Sequence, residues 1–363
     1  MSPKSPLPVS GTAGTVPDTA KVQRWVVDGE YAGQRIDNYL VARLKGVPKT
    51  RIHRMVRTGE VRVNGGRVGS DYRVQAGDQL RIPPVRVAQG TAGDGRAQST
   101  GGASPAMAKA ISDKIKVVFE DEVMLAIDKP FGLAVHGGSG VKLGVIEALR
   151  TSLRGAARPE AIQDRGSPRA LLGPRDDVYL ELVHRLDRET SGVMLLAKRR
   201  SALTEFHRQL REGEMRKRYL ALVWGDWPVG LDQIDAPLYK WVNAKGERWV
   251  RIDPEGQVAI TKVKVLQRAQ HPQFGKVSLL ECEPITGRTH QLRVHLASQG
   301  CPIVGDPKYG DYTRDGTLKP KRMMLHAWQL RCKHPRTQEK LHLRAEPDAH
   351  WSGLTNFFEL ETP

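Results

Sequence analysis

Apolar residues recur at helical spacing in RIDNYLVARL, where Ile36, Tyr39, Leu40 and Leu44 fall on one face and predict a first helix. Gly46 and Pro48 break the pattern. A second helix follows in KTRIHRMVRTG, with Ile52, Met55 and Val56 turned inward and Lys49, Arg51, Arg54 and Arg57 projecting outward. Gly59 stands where a C-terminal cap belongs. The next segment, VRVNGGRV, carries Asn64-Gly65 as a hairpin turn between two short strands, and QLRIP supplies another strand. The pattern predicts a small helix, helix and sheet unit over residues 24–86.

A different rhythm starts near Ile111. Short apolar runs (KVVFED, VMLAID, GVMLLA, YLALVWG and KVSLLECE) read as strands. They are interrupted by two helical stretches: SALTEFHRQLREG, with Leu203, Phe206 and Leu210 on one face, and THQLRVHLASQG, with Leu292 and Leu296 inward and Gly300 as a stop. Strands in succession with few crossover helices predict an α+β domain on a mixed, largely antiparallel sheet, over residues 113–363. Between the two units, residues 87–112 are dominated by Gly, Ala and Ser and read as a flexible linker. Residues 1–23 have no hydrophobic period and read as a disordered tail. Gly155 to Asp177, rich in Pro, Gly and Arg, reads as a surface loop.

Charge changes the picture more than any other bulk property. The 363 residues hold 57 Lys and Arg against 40 Asp and Glu, a formal net charge of +17, which suits a polyanionic partner and nucleic acid first. Cys282, Cys301 and Cys332 have no zinc or redox spacing and fit free thiols in a reducing cytoplasm. No stretch has the roughly 18 consecutive apolar residues of a membrane span, and the opening residues lack the apolar core of a signal peptide. The expectation is a cytoplasmic chain with no metal site and no cofactor-binding fingerprint.

Three segments carry candidate chemistry. In YLELVHRLDRETSGVMLLAK an apolar strand delivers His184, Arg185, Asp187 and Arg188 to a turn, so that one carboxylate is bracketed by two guanidiniums. Arg neighbours favour the ionised acid, suited to act as nucleophile or base, though a plain structural ion pair would use the same residues. In PITGRTHQLRVHLASQG, Gly287, Arg288 and Thr289 precede a helix bearing His290, Gln291 and Arg293. That is an anion-attracting arrangement, unless Thr289 is merely an N-cap and Arg293 a solvated residue. In RKRYLALVWG, Lys217 and Tyr219 share one side of a strand, where the ring could stack on a base beside a cation for its phosphate, or simply fill the core.

Taken in order, these segments resemble the RluA-type pseudouridine synthases. HRLDRETSG is similar to that family's catalytic motif, and DKPFGLAVHGGSG, KRYLALVWG and GRTHQLRVHLASQGCPIVGD to its other motifs. The N-terminal unit is similar to a small RNA-binding domain of the S-four type. The resemblance implies that Asp187 is the essential carboxylate, Arg288 its ion-pair partner, and Tyr219 the ring that packs on the target base. It also implies that Arg185 enters the RNA stack where the flipped base had been. Arg188, Lys217, His290 and Arg293, with Lys49, Arg51, Arg54 and Arg57 of the small domain, are the expected RNA contacts. The implied reaction needs no cofactor and no metal. Within the family the motifs are most like those of enzymes acting on several uridines of large-subunit ribosomal RNA. Ribosomal RNA or an assembly intermediate is therefore the expected partner of a monomer with no protein partner. Transfer RNA as substrate and a non-catalytic assembly factor are the rivals. A glycoside hydrolase would need a second carboxylate, and Glu181 is six residues upstream of Asp187.

Overall fold

The computed structural model describes residues 22–44, 47–85, 105–137, 143–156, 179–243 and 246–363. The expected tail, most of the expected linker and nearly all of the Gly155 to Asp177 loop lie outside the described residues. The described residues divide into two compact units, one before Thr100 and one after Gly101.

In the first unit, strand β1 (Gln23–Val26) is followed by helices α1 (Ile36–Arg43) and α2 (Lys49–Arg57), then β2 (Arg62–Val63) and β3 (Gln79–Ile82). Ile36, Tyr39, Leu40, Leu44, Ile52, Met55 and Val56, the residues that set the helical periods, are all buried in its core. Gly59 takes the left-handed conformation (φ +73°) expected just beyond a helix end. The hairpin expectation needs correction. Asn64 (φ 49°) and Gly65 (φ 82°) do form a tight turn, but the chain after it makes only a bridge from Gly66 to Val63. The β2 ladder instead runs to β3, giving the antiparallel order β1-β3-β2. Asn64 causes the switch: its side chain accepts from the Gln79 N–H (2.9 Å) and donates to Asp78 (2.8 Å), tying the turn to the start of β3.

The second unit begins with a helix, α3 (Pro105–Ser112), inside the stretch read as linker. Its Ala-rich sequence is a helix former, and it packs against α4. Strands β4 (Lys116–Glu120) and β5 (Met124–Lys129) lead to α4 (Val145–Ala156), then β6 (Glu181–Leu182), β7 (Ser191–Ala197) and α5 (Arg200–Arg211). Next come β8 (Arg216–Trp224), β9 (Gln233–Asp235), the hairpin β10 (Leu238–Val242) and β11 (Arg248–Ile252), β12 (Ile260–His271) and β13 (Gly275–Pro284). Helices α6 (Gln291–Ser298) and α7 (Tyr312–Leu318), strands β14 (Leu325–Lys333) and β15 (Lys340–Arg344) and helix α8 (Ala349–Phe357) complete it.

The main sheet runs β4-β5-β7-β14-β8-β13-β12-β9, with β15 beside β14 and β6 beside β7. All its pairings are antiparallel except β7 with β14, so the sheet is mixed and largely antiparallel, in an α+β domain. Every residue of β7 is buried, which is why SGVMLLA reads as a continuous apolar run rather than an alternation. At the parallel contact Gly192 faces Ala327 so closely that a Cβ would stand 2.2 Å from the Ala327 carbonyl oxygen. The segment immediately before β7 is the one that carries Asp187.

Candidate active site

Asp187 lies on a turn whose backbone is pinned from several sides. The Thr190 N–H bonds back to the Asp187 carbonyl (3.1 Å), and the Gly132 N–H bonds to the Arg188 carbonyl (2.8 Å). Lys129 is fully buried, and its ammonium donates to the carbonyls of Pro130 (3.0 Å), Leu133 (2.9 Å) and Arg188 (3.1 Å). Burial draws the Lys129 pKa down to about 7, against the pull of the Glu189 and Asp187 carboxylates. Further along, Ser191 is held by His326 Nδ1 (2.7 Å) and by Arg322. His184 lies beside the same site with its Nε2 occupied: it accepts the Leu195 N–H at 3.2 Å, and burial holds its pKa down to about 3, so it stays neutral.

The Asp187 carboxylate opens into a cleft of about 950 Å3 lined by all three candidate segments. Among the described residues its one close permanent cation is Arg293, whose guanidinium is 3.3 Å from Oδ2. Arg293 is almost wholly buried, and its other edge makes a two-bonded pair with Asp306 (2.7 and 2.8 Å). Both carboxylates keep it charged and raise its pKa. His290 Nε2 stands 3.8 Å from the same Oδ2. Among the described residues, no hydrogen bond or ion pair falls on Oδ1. The carboxylate is thus fixed through one oxygen and presents the other.

Arg288 is therefore not the ion-pair partner expected from sequence. It is exposed, and its Nε donates to the Val258 carbonyl (3.0 Å) at the cleft wall. The physical reason lies in the helix start. His290, not Thr289, is the residue before α6, and it adopts a left-handed backbone (φ 54°). The chain turns there so that Arg288 is left outside, while Arg293, one turn into the helix, points back at Asp187. Arg293 is accordingly a buried ionic anchor rather than a solvated residue.

Tyr219 and Lys217 both face the cleft from β8, as their spacing predicted. Burial, with the Asp187 charge nearby, raises the Tyr219 pKa, so the phenol stays neutral. Burial lowers the Lys217 pKa. Arg185 is exposed at the cleft edge. Arg188 is exposed and pairs with Glu189 (2.7 Å); it is not among the cleft-lining residues. In the small unit Arg54 and Arg57 are exposed on α2, whereas Arg51 is committed to Glu60 through two bonds (2.8 and 3.1 Å). The Lys49 side chain lies outside the described residues.

Several site residues escaped the sequence reading. Asp306 and Tyr309 in GDPKYG anchor Arg293 and His290, and an acid and a ring in a turn soon after the motif helix were the only available signal. The β10–β11 hairpin was also unforeseen. Its register sets Tyr239 opposite Arg251 and Trp241 opposite Trp249 on one face, with Tyr239 and Trp241 each 40% exposed. Arg251 lies over the Tyr239 ring (5.6 Å) and Lys308 over the Trp249 ring (4.9 Å). Aromatic faces beside cations form a surface on which unpaired bases stack.

The cleft holds seven Lys and Arg residues against two carboxylates, Asp187 and Glu283, so its field favours an anion while keeping one acid at its centre. Among the described residues no three His, Cys, Asp or Glu side chains cluster to hold a metal ion, and no helix is long and apolar enough to cross a membrane. This is the site of an enzyme that works on a nucleic acid.

Comparison with known proteins sharpens that class. Residues 123–298 match the RNA pseudouridylate synthase family and residues 34–80 match the S4 domain. The chain is 44% identical to "Ribosomal large subunit pseudouridine synthase C" of Escherichia coli (strain K12), over 91% of this chain and 95% of that protein. It is 43% identical to the Haemophilus ducreyi protein of the same name, over 92% and 94% respectively. Among solved structures, "Human RNA Pseudouridylate Synthase Domain Containing 4" matches with a TM-score of 0.53 and 28% identity, covering 71% of this chain and 98% of that one. The chain belongs to the RNA pseudouridine synthase family, with an S4 domain preceding the synthase domain.

Proposed function

We propose that this enzyme isomerises uridines of large-subunit ribosomal RNA, with Asp187 as its essential carboxylate. The observation that carries the reading is the Asp187 carboxylate itself, held through Oδ2 by buried Arg293 and, among the described residues, without a partner on Oδ1 in a cationic cleft. The choice of ribosomal RNA rests on the names of the relatives.

The chemistry suits the groups present. The bond from C1′ of the ribose to N1 breaks, the uracil turns, and a bond from C1′ to C5 forms; the C5 proton leaves and N1 gains one, so no atom is lost. The target uridine must first leave its stack, which costs a few kcal/mol. Tyr219, a neutral ring beside Asp187, receives the base, and stacking returns part of that cost. Arg185, exposed at the cleft edge, fills the vacated position in the RNA in this reading, while Lys217 and Lys262 meet phosphates. The β10–β11 hairpin offers its rings to unpaired bases. Arg54 and Arg57 on α2 give the S4 domain contacts to phosphate. The reaction proceeds without a metal or cofactor in this scheme.

The test is a pseudouridine map of ribosomal and transfer RNA from cells lacking the protein, complemented with wild type or Asp187→Asn. The expected result is loss of particular large-subunit sites, restored by wild type alone. Loss confined to transfer RNA would overturn the substrate, and restoration by Asp187→Asn would overturn the role of the carboxylate.

A further inference from the structure

Tyr309 touches both groups that address Asp187. Its ring lies 5.2 Å from the Arg293 guanidinium, and its hydroxyl oxygen is 2.9 Å from His290 Nδ1. The same oxygen accepts the Val250 backbone N–H from β11 at 3.0 Å. A phenol has a single proton to donate. With Val250 supplying a donor on one side, the arrangement that satisfies every atom sends that proton to His290 Nδ1. Nδ1 is then an acceptor, and the imidazole proton resides on Nε2, the nitrogen 3.8 Å from Asp187 Oδ2.

We propose that Tyr309 is a positioning residue that fixes His290 in the tautomer whose Nε2–H faces the Asp187 carboxylate. The inference rests on the reading of Asp187 as the reacting acid. In the other tautomer a nitrogen lone pair would face the same oxygen and repel it, working against the position that Arg293 gives the carboxylate. His290 cannot escape the choice by taking a second proton, since burial lowers its pKa to about 4. The surroundings are built to hold the arrangement. Asp306 Oδ1 accepts the N–H groups of Lys308 (2.8 Å) and Tyr309 (3.1 Å) while also gripping Arg293, so one acid sets both the cation and the phenol. Trp249 meets the Tyr309 ring edge-on at 5.6 Å and fixes its plane.

Tyr309→Phe keeps the ring, its contact with Arg293 and its packing on Trp249, and removes only the hydroxyl. Full-length protein labelled with 15N-histidine reports the tautomer directly, from long-range correlations between ring protons and nitrogens near neutral pH. The His290 signal is assigned by its loss in His290→Asn. The wild type is expected to show Nε2 protonated and Nδ1 bare. Tyr309→Phe is expected to show a mixture or the reverse, with a single-turnover rate constant about tenfold lower and RNA affinity within about twofold of wild type. A protonated Nδ1 in the wild type overturns the proposal, as does either an unchanged tautomer or an unchanged rate constant in Tyr309→Phe. Failure of the Asp187 reading would show separately, as turnover by Asp187→Asn, with the tautomer result standing on its own.

Discussion

Replacing Arg293 with Met separates what this residue does for the fold from what it does for the site. The wild-type guanidinium is buried between Asp187 and Asp306, and the Asp306 side chain is 0% exposed. Met fills much of the same volume but leaves the Asp306 charge without its cation. Breaking a buried pair from one side costs about 3–5 kcal/mol. The backbone N–H groups of Lys308 and Tyr309 still bond Asp306 Oδ1, which places this case at the lower end, about 3 kcal/mol. For a domain of this size that is a fall in melting temperature of roughly 6–12 °C. The second variant, Arg293→Met with Asp306→Asn, removes the stranded charge and keeps an acceptor for the two N–H groups, so most of the lost stability should return. Activity should not return, because Asp187 still lacks its cation, and single-turnover rates should stay at least about a hundredfold below wild type in both variants. Thermal melts and single-turnover assays on the same preparations decide it. A single variant melting within about 2 °C of wild type, or a double variant no more stable than the single, would refute the assignment of Arg293 as a buried ionic anchor.

Three further outcomes are expected. Gly192→Ala drives a methyl into the Ala327 backbone at a φ of +111°, so unfolding by denaturant should show a loss of at least about 3 kcal/mol; a loss under about 1 kcal/mol would mean that the parallel contact yields easily. His184, His290 and His326 have folded pKa values of about 3, 4 and 4, below the unfolded value of 6.5, so the unfolded chain takes up protons first. Stability present above about pH 6.5 should therefore drain away as the pH falls toward 4, and a denaturation midpoint that is flat across that window contradicts the burial argument. Arg54→Ala and Arg57→Ala should each reduce the salt slope of RNA binding by about one, while Arg51→Ala, already paired with Glu60, should change it less; equal effects from all three would remove the distinction.

The sequence made the sheet easier to read than the site. Runs such as VMLAID, GVMLLA and YLALVWG are apolar because β5, β7 and most of β8 are covered on both faces, and such runs advertise themselves. The β10–β11 hairpin does not, since its exposed residues mix Tyr239, Trp241, Val242 and Ile252 with Lys and Arg and carry no clean alternation. Helix α3 was hidden by the Gly- and Ser-rich residues before it. At the site, the motifs located Asp187, Tyr219 and Lys217, whose positions follow from a strand end and a two-residue spacing. The choice between Arg288 and Arg293 could not be read the same way. Both lie in GRTHQLR, and the decision is made by a left-handed His290 and by Asp306, beyond the far end of α6. That information is tertiary, and no local pattern holds it.

The parallel contact between β7 and β14 also has a kinetic side. Ser191 meets His326 across 135 residues of chain, and Asp187 meets Arg293 across 106. Closing loops of that length is entropically unfavourable until the rest of the sheet is in place. A growing chain on the ribosome therefore passes through a long interval in which HRLD has already been synthesised but has neither its cation nor the neighbouring strand that fixes its turn. Catalytic competence comes late, and an incomplete chain meets RNA without the geometry to alter it.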